Sequence, residues 1–417
     1  MLEGGLASVN ITPPIEVWMS GFAGRPSPAK SVHDELLVKA LVLSDGESKV
    51  AIVGMDLLGL DFDIVEQVRT LVREWTGIPA DALLLNTSHT HSGPSVGPLR
   101  SMGDAHQAYV QLLPAKIATA VKLACERLKP ITMRYGVAEG AIGINRRERK
   151  PDGSMQLGKN PAGAIDPNVY VLRIDAGDGD TIGLVFHHAA HPVVLGASNV
   201  AISADYPGVT ARALERAFGN GVLAMFLQGC CGNINALRVG GTFEECERLG
   251  RALAGVAMRA AALAEPVETM PIRVHREVVQ LPLLPPPSVE EAQKLVEAHR
   301  KALQEAERAN NEVKARIERG MVQWAEGVYE LARSGRTDLH QPFEICVIRI
   351  GDVAFVGLSG EVFIEYAQSI QAQSPIGKTM VLGYTNGCIG YVPTAIAYSE
   401  GGYEVETAYK YYATLMI

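Results

Sequence analysis

The hydrophobic pattern of the chain switches between two periods. Short apolar runs joined by Gly/Asp turns, as in "LLVKALVLSDGESKVAIVGMD" (36–56), "VYVLRIDAGDGDTIGLVFHHAAHP" (169–192) and "FEICVIRIGDVAFVGLSGE" (343–361), predict strand hairpins that run out into polar clusters at Asp56, His191 and Glu361. Two simpler runs, "ALLLNTSHTH" (82–91) and "VLAMFLQGCCGN" (222–233), end in the same way. Between them, apolar residues recur at helical spacing in "DIVEQVRTLVREWTG", stopped by Gly77, and in "AYVQLLPAKIATAVKLACERL", "YPGVTARALERAFG" and "FEECERLGRALAGVAMRAAALA". Alternating strands and helices with tight hairpins predict an α/β (α+β) fold: mixed β-sheets with flanking helices. Strand ends are rigid and close together, so polar groups just past five of them predict a site assembled from distant segments.

The segment 285–340 departs from this pattern, being rich in Ala, Glu, Lys and Arg. Ser288 with Glu291 forms a capping box that opens a long helix, with a break expected near Asn310-Asn311 or Gly320. It reads as a solvated helical insertion within a single domain spanning 1–417; a lid over the site or a dimer contact is the sharper alternative.

Composition narrows the classes. The 417 residues are 47% hydrophobic and 20% charged, as in an ordinary globular protein. The formal net charge of −8 and the lack of a dense Lys/Arg stripe argue against nucleic acid or an anionic membrane as partner, and favour a small-molecule substrate. The one basic knot, "NRRERK" (145–150), is short and carries its own Glu148. Six scattered cysteines and a start without a basic n-region and apolar h-region lead to the expectation of a reduced, cytoplasmic protein. The oligomeric state is open, a homo-oligomer included.

Five of the ten histidines fall in two strand-end clusters. His89 and His91, at i and i+2, would face one side if the strand continued through them, a natural start for a zinc or iron site. In "FHHAAHPVVLG", His191 is the stronger candidate because Pro192 fixes the chain beside it; His187 and His188 face opposite sides, and at least one of them is assigned to structural hydrogen bonding. An isolated H-x-H is usually a buried, hydrogen-bonded pair, so the second cluster is what shifts the balance. Glu361 offers a hard oxygen and completes a His/His/carboxylate set with a position open for water. In "QGCCGNIN" (228–235), the cysteines invite a thiolate nucleophile, but close glycine packing and amide bonds from Asn233 and Asn235 are the favoured reading.

Seven stretches, "GLASVNITPPIEVWMSGFA", "NTSHTHSGP", "INRR" (144–147), "AAHPVV", "QGCCGNIN", "LSGEVF" and "NGCIGYVPT", follow one another as in the catalytic N-terminal domain of the neutral, non-lysosomal ceramidase superfamily, which the chain resembles over most of its length. The resemblance implies zinc held by His89, His191, Glu361 and Tyr391, with His91 and Arg146 facing the substrate carbonyl to stabilise an oxyanion. It also places Asn235 at a catalytic position where the family carries a serine, and Asn233 where it has an aspartate. An amide cannot replace the serine hydroxyl, and the chain ends at Ile417, soon after the tyrosine motif, without the family's immunoglobulin-like C-terminal domain. Membrane-lipid hydrolysis is therefore not the expectation. The expected activity is instead a zinc-dependent, amidase-like hydrolase that attacks the amide carbonyl of a small soluble substrate with metal-activated water. A lactonase or esterase on the same site and a non-catalytic, zinc-stabilised binding protein are the alternatives. A TIM-barrel amidohydrolase does not match the hairpin-rich pattern.

Overall fold

A computed structural model describes residues 1–97, 99–219 and 221–417. The predicted hairpins form, and three of them build the same unit: two antiparallel strands, then a helix, then a third strand parallel to the second. Leu37–Ser44 and Lys49–Met55 lead through the helix Phe62–Thr76 to Leu83–Thr87. Asn168–Ala176 and Thr181–His188 lead through Asp205–Phe218 to Leu223–Gln228. His340–Ile350 and Val353–Leu358 lead through Ile364–Gln373 to Lys378–Leu382. Parallel pairing requires such a crossover, which sets the carboxyl ends of the paired strands side by side.

The first two units join through Glu3–Asn10 and Lys129–Glu139 into one nine-stranded sheet whose end strands are Leu223–Gln228 and Leu83–Thr87. The sheet curls until these two ends meet. Asn86 closes the seam: its Oδ1 accepts from Gln228 N at 2.7 Å and its Nδ2 donates to Gly383 O at 2.8 Å, in the loop leaving the third unit. A Cβ at Gly54 would lie 2.5 Å from Phe226 O, so the close approach of the two edges excludes a side chain there. All five residues of Leu83–Thr87 are buried, which explains why its first three are an unbroken leucine run rather than an alternation.

Helices cover the outside. Phe62–Thr76 stops at Gly77 as expected, and Phe243–Ala262 opens on a Thr242/Glu245 capping box. The expected Ser288/Glu291 box opens Val289–Arg308, and the break falls at Asn311, which caps Glu312–Ser334; Gly320 lies inside that second helix, packed against Ser101. This hairpin packs through Trp324 and Val328 onto Leu339 and Leu415, with Trp324 Nε1 donating to Thr414 O at 2.9 Å. Among the described residues no helix is long and apolar enough to cross a membrane.

Candidate metal centre

The strand that carries the first histidine cluster ends at Thr87, and His89 adopts a left-handed conformation with φ 65°. Strand alternation therefore does not carry through to His91, and the argument that the two rings share a strand face is corrected. A turn brings them together instead, with ring centroids 4.9 Å apart. The turn is held by Ser88 N donating to Met55 O at 2.8 Å and His89 N to Leu57 O at 2.9 Å, from the end of the neighbouring parallel strand and the loop that leaves it.

His89 and His191 are oriented alike. The His89 Nδ1–H donates to Leu58 O at 2.7 Å, and the His191 Nδ1–H to Cys231 O at 2.7 Å, with Ile234 O at 3.0 Å. Carbonyl oxygens only accept, so both rings carry their proton on Nδ1 and present a bare Nε2 inward. Glu361 arrives on a two-residue parallel bridge that pairs it with Tyr391. Its Oε2 lies 3.1 Å from His191 Nε2 and 3.3 Å from His89 Nε2. Three acceptor lone pairs thus meet at one point, an arrangement that calls for a cation between them.

His91 closes the cluster from the cavity side: ligand atoms of His89, His91 and His191 all lie within 4.8 Å of one another. Both His91 ring nitrogens are buried without a hydrogen-bond partner, which is costly unless a ligand completes them. A Cβ at Gly21, where φ is 96°, would sit 2.4 Å from this ring, so the "GFAG" turn supplies its back wall. Burial, reinforced by the neighbouring imidazoles, pushes His91 well below the usual histidine range, and burial with Arg146 brings His191 down to about 4. The residues present fit a divalent cation.

Arg146 spans the site. Its Nε donates to Glu404 Oε1 at 2.9 Å, its Nη2 to the Tyr391 hydroxyl at 2.9 Å, and its Nη1 to Asn235 Oδ1 and toward His191 Nε2, each at 3.3 Å. Burial works against this charge, but Tyr391 and Glu404 outweigh it and hold the guanidinium protonated. Tyr391 and Asn235 are thus brought to the site as partners of Arg146. Asn233 is instead a brace, its Oδ1 accepting from Ile364 N at 3.0 Å behind Glu361. All of His91, Arg146, His191, Asn235 and Tyr391 line one cavity of about 520 Å³.

The other singled-out residues are structural. The His187 Nδ1–H donates to Leu227 O and the His188 Nδ1–H to Asn168 O, both at 3.1 Å. Cys230 and Cys231 are fully buried, and burial pushes both thiols far above the thiolate-forming range, so neither is an activated nucleophile.

Sequence reasoning missed Tyr384, Tyr403, Glu404 and Tyr412. Tyr412 donates to Glu361 Oε1 at 2.5 Å and Tyr384 to Oε2 at 3.3 Å, while the Tyr384 ring stacks on His89 at 4.1 Å. With Oε1 occupied by Tyr412, the carboxylate is turned to present Oε2. Nothing in spacing distinguishes these among thirteen tyrosines. Tyr412→Phe is expected to remain folded and to bind zinc about tenfold more weakly in a competition titration against a chromophoric chelator; an unchanged affinity would reduce Tyr412 to packing.

Residues 3–249 match the family model for the neutral/alkaline non-lysosomal ceramidase N-terminal region. The chain also aligns over 100% of its length with a crystal structure of neutral ceramidase from Pseudomonas aeruginosa, covering 71% of that chain at TM-score 0.73 and 19% identity. A ceramidase complexed with C2 aligns over 100% of this chain and 72% of its own at TM-score 0.76 and 19% identity. At that identity the two structures establish a shared fold, the mixed sheets and flanking helices of the ceramidase catalytic region. With the matched family model extending over more than half of the sequence, the chain belongs to the neutral/alkaline non-lysosomal ceramidase family.

Proposed function

We propose that this protein is a zinc-dependent hydrolase that cleaves an amide at the carbonyl. The observation that carries this reading is the meeting of His89 Nε2, His191 Nε2 and Glu361 Oε2. Their tautomers are fixed from behind by carbonyls, and a cavity opens on the other side. His89, His191 and Glu361 would hold the ion, with Tyr391 and His91 adjacent; a nitrogen-rich set with one carboxylate favours zinc over calcium or magnesium. Bound there, the ion would supply Lewis acidity and a water of lowered pKa.

The remaining work falls to the chain's own groups. Arg146 is a fixed cation on the cavity wall, where it stabilises negative charge developing on the carbonyl oxygen. Its bonds to Glu404 and Tyr391 hold that charge in place, so it needs no reorganisation during the reaction. Asn235 orients the Arg146 Nη1 edge through its Oδ1 and takes no part as a nucleophile. His91, kept neutral by burial and with a ring nitrogen unpartnered, is placed to take the proton released by the attacking water and to hand it on to the leaving nitrogen. No serine or cysteine nucleophile is required.

The test is removal and return of the metal. Chelated protein is expected to lose hydrolysis of an N-acyl amide and to regain it with one equivalent of zinc, and to cleave the matched ester through the same loaded site. Saturable binding of the amide with no product in the reloaded protein would overturn the catalytic reading and leave a zinc-stabilised binding protein.

A further inference from the structure

Building on the hydrolase reading above, we propose that the substrate is an anionic amphiphile: an amide that joins one apolar chain to a group carrying a carboxylate. The inner cavity wall is apolar, formed by Phe22, Met102, Ile144 and, from the helical hairpin, Ile317. The apolar surface continues over the rim, where Leu157, Leu237 and Val239 stand 49%, 42% and 45% exposed. Isolated exposed apolar residues need no explanation, but three on the rim of one cavity form a continuous path for a chain.

Charge is distributed just as unevenly. The chain carries a formal net charge of −8, yet none of the described residues lining this cavity is Asp or Glu; Glu361 sits behind the imidazoles and does not line it. The lining cations are Arg146, Lys159 and Arg238. Arg146 is answered by Glu404 at 2.9 Å, and Arg238, half exposed, by Glu245 at 3.0 Å. Lys159 has no ion-pair partner among the described residues. Leu157 and Lys159, on the strand Met155–Asn160, both line this cavity, and the loop Leu237-Arg238-Val239 repeats that interleaving of apolar and cationic groups. Lys159 is exposed, and a neutral amide would leave its ammonium to water, whereas a carboxylate at the rim pairs with Lys159 and Arg238 while its chain covers the leucines.

The probes are N-dodecanoylglycine, its neutral primary amide, and the ketomethylene isosteres of both, which have no amide bond to cleave. On the zinc-loaded protein, calorimetry is expected to show the carboxylate isostere binding at least about tenfold more tightly than the neutral one. The Lys159→Met/Arg238→Leu variant should abolish that preference and raise KM for N-dodecanoylglycine with kcat retained, and added salt should weaken only the carboxylate. Equal binding of the two isosteres, or binding of neither, would overturn the proposal. Charge-dependent binding without cleavage of N-dodecanoylglycine would uphold the substrate class and overturn the hydrolase reading. Cleavage of both amides at equal kcat/KM would do the reverse.

Discussion

His191→Ala is expected to purify folded, with far less than one metal ion per chain, and to hydrolyse amides about 1000-fold more slowly than the wild type, as loss of several kcal/mol of metal assistance implies. The side chain is 1% exposed and supplies one of two Nε2 lone pairs beside Glu361, so its removal leaves a site of too few donors. It also removes the imidazole donor from the Cys231 and Ile234 carbonyls, but each keeps a backbone N–H at 2.9 Å, so thermal stability falls only modestly. The informative control is His187→Asn, four residues upstream. His187 uses its Nδ1–H on Leu227 O, and the asparagine amide can make the same bond, so this variant should keep its metal and activity. Elemental analysis with circular dichroism on both proteins checks the pair. Equal metal in His191→Ala would remove the site from this position.

Arg146→Ala should lower kcat by about 100- to 1000-fold with little change in KM, the cost of losing one fixed donor to a developing oxyanion. A buried carboxylate stripped of its only partner is destabilised by about 3–5 kcal/mol. Here the loss is expected to be smaller, about 1–3 kcal/mol, because Arg147 Nη1 still donates to Glu404 Oε2 at 2.8 Å. Steady-state kinetics beside thermal unfolding separates the two effects. A kcat within a few-fold of wild type would show that Arg146 braces Tyr391 and Glu404 without touching the reaction.

The legible part of the site followed from one physical regularity. Strand ends in a packed sheet are rigid and close together, so His89, His191 and Glu361, each just past an apolar strand, were visible as candidates before any contact was known. His191 stood out in the sequence because Pro192 fixes the chain beside it; in the structure His187 and His188 still belong to the strand Thr181–His188 and donate to backbone carbonyls. The conformation at His89 was not legible: a left-handed φ in a non-glycine residue is held by the Met55 and Leu57 carbonyls at the end of a neighbouring strand and in its exit loop. Tyr391 and Arg146 entered only through family resemblance, since a tyrosine or one arginine of a basic run has no spacing signal. Tyr384, Tyr412 and Glu404 escaped altogether, because their roles depend on tertiary approach to Glu361 and Arg146. Asn86 escaped for the same reason, although its bonds to Gln228 and Gly383 join all three strand-helix-strand units beneath the site.

The most direct test of the metal centre is anomalous diffraction at the zinc absorption edge from crystals of the wild-type protein. A single strong peak bounded by His89 Nε2, His191 Nε2 and Glu361 Oε2 is the predicted result. A peak elsewhere, or none after growth and purification with zinc, would contradict the assignment and leave the convergence of those three groups without a cation to explain it.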